Sequence, residues 1–255
     1  MDADEKSEDP QSYVAQNFTG LLGAVRRVRF QRALQLARRY GSRLAVDYGC
    51  ANGVFLPALS REYHTVIGYD VDIWWRPAAE RSLVYPNVKL AWSQDELAQR
   101  LEGRRADAVF CLEVIEHVAP AARPGLLAHM HELLSPYGNL FLSMPIEVGP
   151  MAFAKEVYRF ARGNYPAGRD IRTLAKAVFL QHGLAQTDLR DHFAFDFRAV
   201  VDLLAGRFVV EEARYLPLDA LGLLAPTVML RARPCAVPLP EDRPASPAPA
   251  AANPA

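Results

Sequence analysis

The sequence predicts an α/β domain: a seven-stranded, mostly parallel sheet with helices on both faces, a helix ahead of it and a helical lid after the fifth strand. Three observations predict this. Short, nearly continuous apolar runs alternate with helical patterns up to about residue 145, as expected of strands buried on both faces and joined by right-handed crossover helices. Residues 146–190 then read as helix with no strand. Two further strand-like runs close the domain and bring the sheet to seven.

In order, a helix over about Leu21–Arg39 places Leu22, Val25, Leu34 and Ala37 at helical spacing and arginines on its other face. Strands are expected at Leu44–Tyr48, Thr65–Tyr69, Val88–Ala91, Ala108–Leu112 and Asn139–Met144. Helices fall between them, at Val54–Arg61, Pro77–Leu83, Asp95–Leu101 and Ala121–Leu134. After the lid, Asp196 is placed to cap a helix over Phe197–Leu204, and Phe208–Leu216 and Thr227–Arg233 supply the last strands. Residues 1–11 are charged, and from Pro234 the chain runs PCAVPLPEDRPASPAPAAANPA. Neither end can bury apolar surface, so both are expected to be disordered around one domain at 12–233.

With 255 residues, 51% of them hydrophobic, the chain can build one large core. Lys+Arg and Asp+Glu both number 29, so the global positive field of a nucleic-acid binder is missing and no such partner is expected. Three cysteines without repeated spacing make neither a disulfide framework nor a zinc site, which fits a reducing cytoplasm. The first residues show no signal-peptide pattern. The apolar stretch Ala220–Leu230 is too short to span a bilayer and contains Pro226.

The first strand ends in VDYGCANGVFL: Asp47 closes it, Gly49, Ala51 and Gly53 line a turn, and a helix follows. Small residues let a backbone turn approach a ligand closely, and a helix start offers free N–H groups. The third glycine of a dinucleotide motif is lacking, since Val54 and Phe55 stand near its place. The second strand ends in VIGYDVD, with Asp70 about twenty residues beyond the glycines. The fourth runs into ADAVFCLEVIEHV, and LLSPYGNLFLSMP introduces the fifth.

These four motifs, in order over about residues 40–145, resemble those of the class I methyltransferases that use S-adenosylmethionine (SAM). The style is closest to small-molecule O-methyltransferases of the ubiquinone-biosynthesis type. The resemblance implies a Rossmann-like fold, SAM as cofactor and a small-molecule acceptor. It would have Asp47 support the turn beneath the methionine end, and Gly49, Cys50, Ala51 and Gly53 pass along the cofactor. Asp70 would accept the ribose hydroxyls as a bidentate acceptor, and Val71 would pack on adenine. Cys111, Leu112 and Glu113 would meet the methionine moiety through backbone groups. Three departures stand out: Ala51 replaces the central glycine, Tyr137 replaces a glycine before the fifth strand, and Ser93 and Gln94 stand where an Asp often meets adenine.

Methyl transfer from a sulfonium is an in-line displacement, in which alignment alone can supply about 7–11 kcal/mol. A base is needed only if the nucleophile must lose a proton. His192 is the first candidate, in a loop facing the expected pocket, with Glu147 and His117 behind it. Three segments would choose the acceptor: Tyr13–Phe18, the lid, and DHFAFDF before the last helix. The lid's Met151, Phe153, Tyr158, Phe160, Tyr165 and Phe179 imply an apolar or aromatic acceptor, or simply pack the lid on the sheet. Lys155, Arg159 and Arg162 among the aromatics would allow contact with a membrane surface. Were 113–117 helical, Glu113, Glu116 and His117 would converge as for a metal ion. The resemblance instead makes the segment a packing element in which His117 holds a loop, and no metal is expected. His129 and His131 are expected at the surface. Two rival readings remain: a nucleic-acid or protein methyltransferase, suggested by the arginines at 26, 27, 29, 32, 38, 39 and 43, and a catalytically silent SAM-binding module.

Overall fold

The computed structural model describes residues 20–40, 43–161, 171–181, 184, 186 and 192–235, with side chains from residue 27 onward except that of Ile171. Seven strands form one sheet: β1 (Leu44–Tyr48), β2 (Thr65–Tyr69), β3 (Val88–Ala91), β4 (Ala106–Leu112), β5 (Leu134–Pro145), β6 (Phe208–Leu216) and β7 (Thr227–Pro234). Their order is β3-β2-β1-β4-β5-β7-β6, parallel from β3 to β5, with β7 antiparallel to both neighbours. The order reverses between β1 and β4. In an open α/β sheet that reversal leaves a crevice beyond the carboxyl ends of the strands, where ligands bind.

The helices are α1 (Gly20–Ala37), α2 (Leu56–Leu59), α3 (Arg76–Ala79), α4 (Gln94–Leu101), α5 (Arg123–Leu133), α6 (Pro150–Ala161), α7 (Ile171–Val178) and α8 (Phe197–Leu204). All of β1 is buried, and its alternate residues feed two cores. Val46 and Tyr48 join Leu127 and Met130 of α5 and Val200 and Leu204 of α8 on one face. Ala45 joins Leu36 of α1 and Leu56 and Leu59 of α2 on the other. A two-sided sheet explains why these strands read as continuous apolar runs rather than as alternating ones.

Several elements depart from expectation. The helix expected over Val54–Arg61 is reduced to α2, and the one over Pro77–Leu83 splits into α3 and a 3₁₀ stretch, Glu80–Val84. β5 starts at Leu134, not Asn139, because residues 134–138 already run as extended chain, with a register shift against β4. Gly138 makes this possible: a Cβ there would lie 2.8 Å from the Ala106 carbonyl oxygen. β7 continues to Pro234 and Cys235 donates its N–H to the Arg207 carbonyl at 2.8 Å, so ordered chain passes the expected start of the tail. His129 and His131 are not simple surface residues. His129 Nδ1 shares a 3.0 Å hydrogen bond with the Tyr48 hydroxyl, and His131 packs edge-on to Phe208.

Tyr13–Phe18, Tyr165, Arg162, residues 1–11 and 236–255 lie outside the described residues. Cys50, Cys111 and Cys235 are all free thiols, and no helix among the described residues is long and apolar enough to cross a membrane.

Candidate active site

The turn after β1 is built from left-handed backbone. Gly49, Ala51 and Gly53 have φ of 82°, 44° and 72°. Glycine adopts this region freely, whereas alanine is held there at a cost of about 1–2 kcal/mol. The turn is pinned to β2: Gly49 and Cys50 donate to the Tyr69 carbonyl at 2.7 and 3.0 Å, and Ala51 donates to Asp70 Oδ2 at 2.8 Å. That last bond is what keeps the non-glycine residue at positive φ. Gly49 has a second reason to be glycine, because its Cβ would collide with Val114 Cγ2 in the loop after β4. The two motifs, far apart in sequence, are thus in direct contact across the crevice.

Asp47, at the base of the turn, is buried. Burial first, and then the Asp70 carboxylate, push its pKa up to about 7, against a smaller opposing effect of Arg29. Asp70 is also raised, mainly by desolvation. Its Oδ1 accepts the Asp72 N–H at 2.9 Å. Each carboxylate oxygen accepts one backbone N–H and keeps a further lone pair, so the group could still accept ribose hydroxyls. Val71 beside it is 73% exposed, an apolar side chain left uncovered at the rim where an adenine ring could lie.

Ser93 and Gln94 begin α4. The Ser93 hydroxyl accepts the Glu96 N–H at 3.1 Å, and Glu96 Oε2 accepts the Trp92 N–H at 2.7 Å. This resembles a capping box, legible as the spacing Ser93-x-x-Glu96. The Ser93 hydroxyl is committed to the helix end, while the Gln94 side chain is exposed.

At the end of β4, Cys111 and Leu112 are buried. Glu113 stands at φ 57°, its N–H donating to the Ser143 carbonyl and its Oε1 accepting from Ser143 Oγ, each at 3.0 Å. Its Oε2 ion-pairs with Arg29 at 3.3 Å. The sequence places Arg29 among the arginines of the first helix that would suit a nucleic-acid or protein substrate. In the fold it turns inward from α1, with a side chain 14% exposed, among the carboxylates of Asp47, Glu113 and Glu116. Nothing in the spacing of the arginines distinguishes it.

The three base candidates separate. His117 ends a 3₁₀ turn, Ile115–His117, and meets His192 edge to face with ring centroids 4.5 Å apart. Glu147 is buried and ion-paired with Lys155 of α6 at 2.6 Å. Arg159 likewise pairs with buried Glu156. Lys155 and Arg159 therefore turn toward acids of the same protein, while Phe153, Val157 and Phe160 are exposed. The stretch 113–117 is not α-helical, and Glu113 is occupied by Ser143 and Arg29, so the grouping of Glu113, Glu116 and His117 does not form.

The crevice lies where an open α/β sheet takes a nucleoside cofactor, which puts the protein in the Rossmann-like cofactor-binding class. Its family can also be given. Residues 25–184 match the family described as a methyltransferase domain, and the chain belongs to that family. It is 29% identical over 119 residues to the ubiquinone biosynthesis O-methyltransferase of Serratia proteamaculans (strain 568), covering 46% of this chain and 48% of that relative. The chain thus spans about half the length of that curated relative. Among solved structures, the N-methyltransferase NodS from Bradyrhizobium japonicum WM9, in complex with S-adenosyl-L-homocysteine, is similar at a TM-score of 0.51 and 15% identity, over 89% of this chain and 99% of that one. The PH0226 protein from Pyrococcus horikoshii OT3 is similar at 0.56 and 14%, over 86% and 94%. At these identities the two structures speak to the fold alone.

Proposed function

We propose that the chain transfers the methyl group of SAM to a hydroxyl oxygen of a small organic acceptor. The observation that carries this reading is the meeting of His117 and His192 beside the cofactor turn, where a hydroxyl can lose its proton. SAM supplies an electrophilic methyl on a sulfonium that leaves as a neutral thioether. The chain's part is to align and to deprotonate. Asp70 would hold the ribose, Val71 would meet the adenine, and the left-handed turn from Gly49 to Gly53 would pass along the methionine end, with Asp47 beneath it. Gln94 stands where adenine's edge would reach. Backbone groups of Cys111, Leu112 and Glu113 close the other wall. As the new O–C bond forms and the S–C bond breaks, the hydroxyl proton leaves at the His117–His192 pair, with His192 the base when no ion is present. Glu147, paired with Lys155, fastens the lid. The distant likeness to an O-methyltransferase supports oxygen over nitrogen, and zero net charge supports a small molecule over nucleic acid.

A screen of phenols, alcohols and amines with methyl-labelled SAM, read by mass spectrometry, tests this. Label on oxygen of a small acceptor is expected. Label only on nitrogen, on protein or on RNA would overturn it.

A further inference from the structure

The acceptor side of the crevice holds a cluster that methyl transfer by alignment does not require. One ligand-type atom from each of Glu116, His117 and His192 lies within 4.8 Å of the others. Glu116 is 0% exposed, and neither of its carboxylate oxygens has a hydrogen-bond partner among the described residues. The nearby arginines act on it through charge but direct their close contacts elsewhere. Arg29 pairs with Glu113, and Arg123 directs Nε to the Val118 carbonyl at 3.0 Å and Nη2 to Gln186 Oε1. A buried carboxyl with no partner is strongly disfavoured unless it is neutral or meets a cation.

We propose that Glu116, His117 and His192 bind a divalent first-row transition-metal ion. Two imidazole nitrogens and one carboxylate oxygen suit the range from manganese to zinc, whereas magnesium and calcium favour oxygen donors throughout. The turn that carries Glu116 is braced from the far side: Gln186 Nε2 donates to the Glu116 carbonyl at 2.9 Å. His192 reaches the cluster from a left-handed backbone position at φ 62°. Three protein ligands leave coordination positions open. The ion's role in catalysis rests on the oxygen-transfer reading: a hydroxyl bound there loses its proton to solvent at a lower pH, and His192 acts as a ligand rather than taking the proton.

Metal binding is tested without SAM or acceptor. The full chain, stripped with a chelator, is titrated with cobalt(II) alone and followed by calorimetry and proton NMR. One equivalent should bind, giving hyperfine-shifted ring protons from two imidazoles. His117→Ala and His192→Ala should each remove one set, and Glu116→Gln, nearly isosteric, should weaken binding by about tenfold or more. Retained affinity for S-adenosyl-L-homocysteine shows that each variant is folded. Magnesium at the same concentration should not compete. Absence of shifted imidazole protons, survival of both sets in the histidine variants, or unchanged affinity in Glu116→Gln would overturn the site. If cobalt binds as expected but label goes only to nitrogen, the site stands and oxygen transfer falls. If metal-free protein methylates oxygen at the full rate, the ion's catalytic role falls and the transfer reading stands.

Discussion

Asp47 and Asp70 are two carboxylates with different consequences. Burial raises Asp47 from its ordinary 3.8 to about 7, so the folded chain holds that proton more tightly than the unfolded chain does. Its contribution to stability is therefore complete below about pH 4 and is lost as pH rises through about 7. Asp47→Asn removes the dependence. Relative to wild type, the variant should gain a few kcal/mol between pH 4 and pH 8, measured by urea unfolding; a gap that does not change with pH would contradict this. Asp70→Ala removes the carboxylate assigned to the ribose and also the acceptor that pins Ala51. Hydrogen bonds to a charged acceptor contribute roughly 1.5–3 kcal/mol, so SAM affinity should fall about ten- to hundredfold by calorimetry. Asp72→Ala is the control. Asp72 Oδ1 caps a 3₁₀ turn by accepting the Trp74 N–H at 3.2 Å. Its loss should cost about 1 kcal/mol of stability and leave SAM affinity nearly unchanged. Equal loss of affinity in both variants would place the ribose elsewhere. Alanine at 51 was visible in the sequence as a departure, and the structure supplies its physical setting: a left-handed residue held by Asp70. Arg29 was not legible, because its inward turn depends on how α1 lies across the sheet and not on its neighbours in sequence.

At the scale of elements, one ion pair ties α6 to the chain that leaves β5. Lys155 reaches from α6 both to Glu147, at 2.6 Å, and to the Ile146 carbonyl, at 3.1 Å. Lys155→Met removes the cation beside a carboxylate whose side chain is only 6% exposed. Amide exchange over 150–161 should quicken by about tenfold or more, while the melting temperature changes by only a few degrees. Unchanged exchange in α6 would show that this ion pair does not fasten the lid. Strands were far more legible than helices. Runs such as Leu44–Tyr48 are buried on both faces and read as continuous apolar segments whatever lies beside them. The helical stretches 54–61 and 77–83 are short, carry Pro57 and Pro77 near their starts, and break into single turns. β5 starts five residues ahead of the apolar run at Asn139–Met144, because Ser135, Pro136, Tyr137 and Gly138 carry no strand pattern, and only the close approach of Gly138 to the Ala106 carbonyl shows why the chain stays extended there.

For the molecule as a whole, SAM should stabilise the fold by mass action. At a hundredfold excess over its dissociation constant the gain is about 2.7 kcal/mol, visible as a shift of several degrees in a thermal melt. NAD should give none, and the reverse pattern would assign the crevice to another cofactor. The general position of that crevice followed from the alternation of strands and helices. The pairing of His117 with His192 did not, because 75 positions of sequence, including the whole lid, separate them. The contact between Gly49 and Val114 carries this coupling further. A methyl at position 49 meets two distinct penalties, one torsional, from φ of 82°, and one steric, from a stiff β-branched side chain. Only the second can be relieved from across the crevice. In a double-mutant cycle, Val114→Ala should therefore recover part of the stability lost in Gly49→Ala and leave the remainder, and that remainder measures the backbone alone. Shortening Val114 thus relieves the steric part of a change at 49 and leaves the backbone part, and a substitution in the turn after β1 is felt in the loop after β4.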